Sequence, residues 1–436
     1  MKIAIPLLGL VVLALASAAS AGQAAETAPA AEAPKPAVWG APVSPAAVAA
    51  PTLMIPPAAP AALSPPAEAP PKEAPPPEAY KPGGFHILVT GDADVTFTAR
   101  RHGRSMWEGA LSPLFLIQFN DRLLMELAIE SDIATNPLGG EPDRNLTLGH
   151  ANLSYIVCDR LAVGAGLFHT PFGVHVQHYG PPWINQFPDD PLPFADRSLV
   201  SEVALGGFAT GAAPVGTDSQ INYSMFIGDG SELITDDPDA AGDMMHDRFH
   251  NFEYENRNQG AKSIGGRVGF VPTPGLEFGA SVMGARVNPE HFRHTTQVLW
   301  GLDASYVHDF EQLKGRVRAR AEWIWSNTQE RTFDPNGSLG FGPLRFNNNR
   351  NGGYWQVSYR PTQCGNDILK NAEFGVRYDR LTVSHFAPGG GNENRWTPCV
   401  AYWFTPSAVA KVAYEYDRVH GMPADHFLIV QFAIGF

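Results

Sequence analysis

The chain has 436 residues, of which 44% are apolar or aromatic and 17% are charged. Its formal net charge of −13 argues against nucleic acid as a partner. The mean hydropathy of −0.14 resembles that of a soluble protein. It does not exclude a membrane β-barrel, because strands that alternate lipid-facing and lumen-facing side chains average to near-neutral hydropathy. Three cysteines form neither a metal motif nor an even disulfide set, and no cofactor is predicted.

The first segment reads as a signal peptide. Residues 3–15 form an apolar run behind Lys2, and the small residues Ala19, Ser20 and Ala21 follow it. This order predicts a secretion signal over residues 1–21, with a transmembrane anchor as the alternative.

Residues 22–83 are dominated by alanine and proline. Proline stiffens the chain and alanine alone supplies no core, so we expect a disordered, extended periplasmic linker and not a domain. The segment is either a passive spacer or a tether that contacts the cell wall through residues 22–82.

Strict alternation marks the last segment and the first segment after the linker. Hydrophobic side chains on one parity near the end of the chain are Leu428, Val430, Phe432, Ile434 and Phe436. Residues 85–100 alternate in the same way and exceed the roughly 9–11 residues that a tilted strand needs to cross a bilayer. The period of two predicts β-strands. A terminal phenylalanine is typical of the assembly signal that the outer-membrane insertion machinery reads, which assigns that role to Phe436.

The same pattern continues between the two ends and predicts an all-β fold over residues 84–436. We expect about sixteen strands, at 85–100, 110–120, 122–131, 146–157, 160–168, 199–210, 219–228, 263–271, 276–286, 296–308, 315–326, 353–361, 371–382, 396–404, 408–418 and 425–436. Short turns alternate with long connections, as in bacterial outer-membrane barrels with turns in the periplasm and long loops outside. A closed antiparallel barrel in the outer membrane of a Gram-negative-type bacterium is therefore predicted, in contact with lipid and lipopolysaccharide.

One element carries a family resemblance. Residues 151–155 and 161–173 include the run Gly-x-Phe-x-Thr-Pro-Phe-Gly from Gly166 to Gly173. This run, at the end of a strand that enters a long loop, resembles the phosphate-selective porin O/P group. The resemblance implies a passive porin channel for small hydrophilic solutes and a homotrimer. A preference for phosphate-like anions is the finer expectation.

The connection at 169–198 follows the predicted fifth strand, where the loop of general porins folds into the lumen and narrows it. We expect a constriction loop in which acidic residues set the charge and prolines provide rigidity. Its candidate residues are His169, Pro171, Phe172, His175, His178, Trp183, Asp189, Asp190 and Asp196. The alternative is an exposed lid stabilised by aromatic packing.

Arginines on inward parities are the second candidate group. Arg316, Arg318 and Arg320 alternate with lipid-facing residues and would lie roughly 6.6 Å apart along the wall. Arg267 and Arg377 lie on inward parities of other strands. Such a basic wall favours small anions. The alternative is internal ion pairing with lumen carboxylates.

Catalytic and metal sites are not predicted. Loosely spaced histidines on loops do not establish converging metal ligands. Ser154, Ser201 and Ser281 lack the context of a nucleophile elbow. Two other classes stay open beside the porin: a structural protein that tethers the envelope, and an outer-membrane hydrolase.

Overall fold

The computed structural model describes residues 84–436 except 102, 136–141, 195–198, 234–253, 288–294, 334–343 and 387–390. The predicted signal peptide and linker therefore lie outside the described residues, as does Asp196. Among the described residues, no helix is long and apolar enough to cross a membrane.

Sixteen strands of the described chain form one closed antiparallel barrel. They are β1 (His86–Arg100), β2 (Met106–Asn120), β3 (Leu123–Ala134), β4 (Asp143–Cys158), β5 (Leu161–His169), β6 (Val203–Val215), β7 (Ser219–Leu233), β8 (Tyr254–Thr273), β9 (Leu276–Val287), β10 (Thr295–Phe310), β11 (Gly315–Thr328), β14 (Arg350–Arg360), β15 (Ala372–Thr382), β16 (Asn392–Thr405), β17 (Ala408–Val419) and β18 (Asp425–Gly435). A separate two-stranded sheet pairs β12 (Arg331–Phe333) with β13 (Leu344–Phe346). Two short helices are α1 (His175–His178) and α2 (Asp367–Asn371).

The last strand closes the barrel against the first. The backbone N–H of Gly91 donates to Phe436 O at 3.1 Å, and the N–H of Phe436 donates back to Gly91 O at 3.0 Å. Closure leaves no unpaired sheet edge, which the hydrocarbon core of a bilayer would penalise. The predicted sixteen-stranded barrel is confirmed, while the role of Phe436 as an assembly signal stays a prediction.

Side chains alternate between the two faces of the wall as the sequence pattern predicts. In β18, Leu428 and Phe432 are exposed on the outer face, whereas Gln431 and Ala433 are buried on the inner face. In β1, Val95 is exposed and Asp94 is buried. An apolar outer face around a polar interior is the pattern of a transmembrane barrel of the outer-membrane type.

Connections at one end of the barrel are short and those at the other end are longer. The short end includes turns between β2 and β3, β4 and β5, β8 and β9, and β16 and β17, as predicted. Several boundaries differ from the expectation. The predicted strand at 263–271 is β8, which begins at Tyr254, and the predicted strand at 199–210 is β6, which begins at Val203. Residues 199–202 instead finish the preceding loop, whose base closes when Thr170 N donates to Glu202 O at 2.8 Å.

Candidate functional site

Residues 170–202, here called the inner loop, connect β5 to β6, and their described part, 170–194 and 199–202, lies inside the barrel. Their aromatic side chains Phe172, Phe187 and Phe194 are almost completely buried. Polar atoms of the loop bond to inward-facing residues of β9, β11 and β14–β18, far away in sequence. The contacts explain why the loop does not project into solvent.

The first turn of the inner loop is held by an inward-facing carboxylate. Glu322 on β11 accepts from the N–H groups of Val174 at 3.3 Å and His175 at 3.1 Å. Ser281 Oγ accepts from the N–H of Gly173 at 2.9 Å. Gly173 has a φ of 69°, and a Cβ there would lie 1.6 Å from Glu322 Oε1. Glycine is required at this point because it allows both the left-handed backbone and the close approach.

The middle of the inner loop is anchored by two buried arginines. Arg377 on β15 donates to the carbonyl of Asp189 at 2.8 Å and also pairs with the Asp189 carboxylate. Arg395 on β16 pairs with the same carboxylate at 2.8 Å, and Asp379 on β15 accepts from Arg377 at 2.9 Å. Burial by itself would raise the pKa of Asp189, but the two guanidiniums outweigh it and hold that pKa below its usual range. The carboxylate of Asp189 is therefore ionised and neutralised in place.

A buried lysine completes the anchorage. Lys411 Nζ on β17 donates to Phe187 O at 3.1 Å, to Gln431 Oε1 at 2.7 Å and to Pro182 O. Trp183 packs against the small hydrophobic cluster of β16–β18 beside Lys411. The contacts of Lys411 with the inner loop are therefore to main-chain carbonyls, and its side-chain partner is Gln431 of β18.

The five predicted pore-lining arginines do not form a free basic wall. Arg316 pairs with Asp309 at 2.8 Å, Arg318 with Glu373 at 3.0 Å, and Arg267 with Asp303 and Glu277. Arg377 pairs as described above. Arg320 stacks on a loop tyrosine, with its guanidinium carbon 3.2 Å from the centroid of the Tyr179 ring. The structure contains the ion pairs that the sequence left open as the alternative.

The predicted loop histidines are separated. His169 stacks on His150 with ring centroids 4.9 Å apart, while His175 Nε2 lies 3.2 Å from Asp190 Oδ1. Burial lowers the pKa of His178 to about 4, and the nearby Arg267 adds to the effect, so this ring is neutral near pH 7. Pro171 is buried at the base of the loop. Within the described part of the chain, no group of three or more histidine, cysteine or acidic side chains could hold a metal ion.

Sequence reasoning missed Arg395 and Lys411, which carry much of the loop's anchorage. Both lie on inward parities, opposite Asp417 and Ala401 of the neighbouring strands. The sequence signal for both residues is a basic side chain on the inward parity of a barrel strand.

The inner face of β2–β7 differs from the wall that holds the loop. It presents small residues such as Gly164, Gly166 and Gly206, which are partly exposed together with Ser154 and Thr210. Their partial exposure contrasts with the buried inward residues of β15–β17. Larger inward side chains of these strands, Phe168 and Phe226, are buried in the hydrophobic cluster of the inner loop. The partly exposed inward positions are therefore the small residues of β4–β6.

The three serines weighed as nucleophiles have ordinary structural partners. Ser281 accepts from the loop as described, Ser154 Oγ donates to Asn152 Oδ1 at 3.2 Å, and Ser201 Oγ donates to Val203 O at 3.0 Å. Each hydroxyl is occupied by a partner other than a histidine, which lowers the support for a hydrolase.

No protein-family model matches the sequence, and no curated protein is matched. Solved structures with a similar fold include OprB of Pseudomonas putida (11% identity, TM-score 0.52, covering 80% of this chain and 94% of that chain). OmpF of Salmonella typhi, in a complex with daunomycin, is 11% identical with a TM-score of 0.51, covering 80% and 97% of the two chains. An anion-selective porin from Comamonas acidovorans is 10% identical with a TM-score of 0.50, covering 81% and 100%.

Identities this low show a shared fold and nothing about the solute. The chain has the barrel fold of outer-membrane porins, so the predicted fold class is confirmed. Membership of the phosphate-selective O/P group stays a prediction.

Proposed function

We propose that this protein is an outer-membrane porin, through which small hydrophilic solutes diffuse passively. The observation that carries the proposal is the asymmetric interior: polar atoms of the inner loop bind the wall of β9–β18, while the inner face of β4–β6 includes small, partly exposed residues such as Ser154, Gly164 and Thr210. Barrels of sixteen to eighteen strands are wide enough for an aqueous channel.

The inner loop would act as the constriction. A buried lysine, two buried arginines and a carboxylate bind the loop to the wall. It would therefore narrow the lumen as a fixed constriction and not as a moving gate. The acidic residues expected to set the charge at this point act differently, since Asp189 is neutralised by Arg377 and Arg395.

An anion preference has weaker support than the sequence suggested. Ion pairing offsets the charges of Arg267, Arg316, Arg318 and Arg377, and a neutralised arginine attracts anions less than a free one. Anion selectivity, the homotrimer, and contacts with lipopolysaccharide, the insertion machinery and the cell wall stay predictions.

Single-channel recording of the purified full chain in planar bilayers tests the porin. We expect steady ohmic current steps that become smaller in Ser154→Trp, because this partly exposed side chain lies on the inner face of β4. The matched control is Leu153→Trp, which changes the adjacent residue on the exposed outer face.

The pair of variants also identifies the barrel responsible for the current. Steps of unchanged size in Ser154→Trp would mean that the current flows elsewhere, for example through a contaminating porin. A folded wild-type barrel that gives no steps would contradict the proposal and favour a structural role.

A further inference from the structure

We propose that this channel prefers cationic solutes, which pass along an acidic strip of the inner wall. The acidic strip consists of Asp92, Asp94, Glu126, Glu130 and Asp132, on β1 and β3. This inference rests on the proposed porin function and adds the charge class of the solute.

The strip is continuous across three neighbouring strands. Asp94 is paired with Ala110 of β2, and Ala110 is paired with Asp132 of β3. Asp92 is paired with Ser112 of β2. Because Leu111 is paired with Ser131, the next pair in the same register is Ser112 with Glu130 of β3. The intervening side chains on β2, Ala110 and Ser112, are small, and the carboxylates of β1 and β3 lie two strand spacings apart, roughly 10 Å.

Among the described residues, no ion pair joins the acidic strip to a basic side chain. Glu126 accepts from Asn152 Nδ2 at 3.2 Å. Asp94 accepts from Thr96 Oγ1 at 2.9 Å and from Gln431 Nε2 at 3.3 Å. Neutral donors orient these carboxylates. Lys411 lies near enough to Asp94 to interact with it electrostatically and partly offsets its charge, whereas Glu126 has no such basic neighbour among the described residues.

Asp92 supplies an independent observation. The residue is only 3% exposed, and no donor among the described residues reaches its Oδ1 atom. Asp94 and Glu130 are close enough to interact with it electrostatically. A buried acceptor without a donor costs free energy, and a mobile cation or a bound donor group of a solute would satisfy it.

The distribution of basic residues strengthens the argument. Strands β2–β7 contain a single arginine or lysine, Arg144. It is paired with Ile133, whose exposed side chain belongs to the outer face, so Arg144 points away from the lumen. The other basic residues of the inner wall lie on β8–β17, where carboxylates or the inner loop bind them, and on β1, where Arg100 pairs with Asp425 of β18. The uncompensated charge of the open side is therefore negative, which lowers the barrier for cations.

The test is the reversal potential of the purified full chain in a planar bilayer with a KCl gradient. We expect the dilute side to become positive for wild type, since potassium ions cross more readily than chloride ions. Replacing two partly exposed carboxylates, Glu126→Gln with Glu130→Gln, should lower the ratio of cation to anion permeability by about threefold. The matched control, Glu311→Gln with Glu330→Gln, removes two charges outside the inner wall and should leave the ratio within error.

If wild type gives current steps but its reversal potential is zero or has the sign expected for chloride, this inference is overturned while the proposed porin function stands. An unchanged ratio in the inner-wall variant would overturn it as well. No steps at all would overturn both this inference and the proposed function. If the double variant does not fold, the sign of the wild-type reversal potential by itself tests the inference.

Discussion

The two sides of the barrel interior use charged residues for different purposes. On β9–β18, carboxylates, arginines and a lysine bind each other and the inner loop, and most are buried. On β1 and β3, the five carboxylates of the acidic strip form no ion pair among the described residues, and small residues such as Ser154 and Gly164 face inward on β4 and β5. Charge on the first side holds the structure together, whereas charge on the second side is available to a solute. Inward parity alone therefore does not make a residue pore-lining.

The largest effect should come from removing a buried cation of the loop-binding side. Arg377→Met removes one of the two guanidiniums that pair with Asp189 and Asp379, and breaking a buried pair in this way costs about 3–5 kcal/mol. Guanidinium unfolding in detergent, followed by tryptophan fluorescence, measures the loss. Glu126→Gln is the control from the open side and should cost less than about 1 kcal/mol, because its neighbour Asn152 can still donate to the new amide oxygen. Equal losses in the two variants would remove the distinction between the sides.

A smaller loss is expected at the first turn of the inner loop. Gly173→Ala should cost about 2–4 kcal/mol, because the Cβ forces away Glu322 and the residue must keep a positive φ. Gly216→Ala is the matched control: Gly216 has a φ of 80° with nothing within 4 Å of the added Cβ. It should show only the backbone cost, about 1–2 kcal/mol.

The same unfolding assay applied to both glycine variants separates the carboxylate contact from backbone strain. If Gly173→Ala lost no more stability than Gly216→Ala, the contact between Glu322 and the loop would contribute nothing measurable.

The smallest effect should come from an exposed pair at the short end of the barrel. Arg316 and Asp309 are both solvent-exposed, and such pairs contribute less than about 1 kcal/mol. Arg316→Gln should therefore change the midpoint of unfolding little in the same assay. A loss comparable to that of Arg377→Met would show that burial does not decide the strength of these pairs.

Much of the barrel could be predicted because the relevant signals are local. The parity of Leu428, Phe432 and Phe436 follows from the period of a strand, and the turns at 120–121 and 405–406 follow from their residue types. The site was harder to predict. Arg318 and Arg320 were expected on the same inner wall, but sequence could not tell that one would pair with Glu373 and the other would stack on Tyr179. Those partners are 55 or more residues away along the chain.

By itself the sequence determined the strand rhythm, the even number of strands and the polar inner face, since side-chain direction in a strand depends only on position along it. It also determined the shortage of basic residues between β2 and β7. Only the tertiary structure decided which charges are neutralised, because that depends on which wall the loop lies against. Lys411 and the inner-loop residue Phe187 are more than 200 residues apart in the chain, and closure of the barrel brings them together.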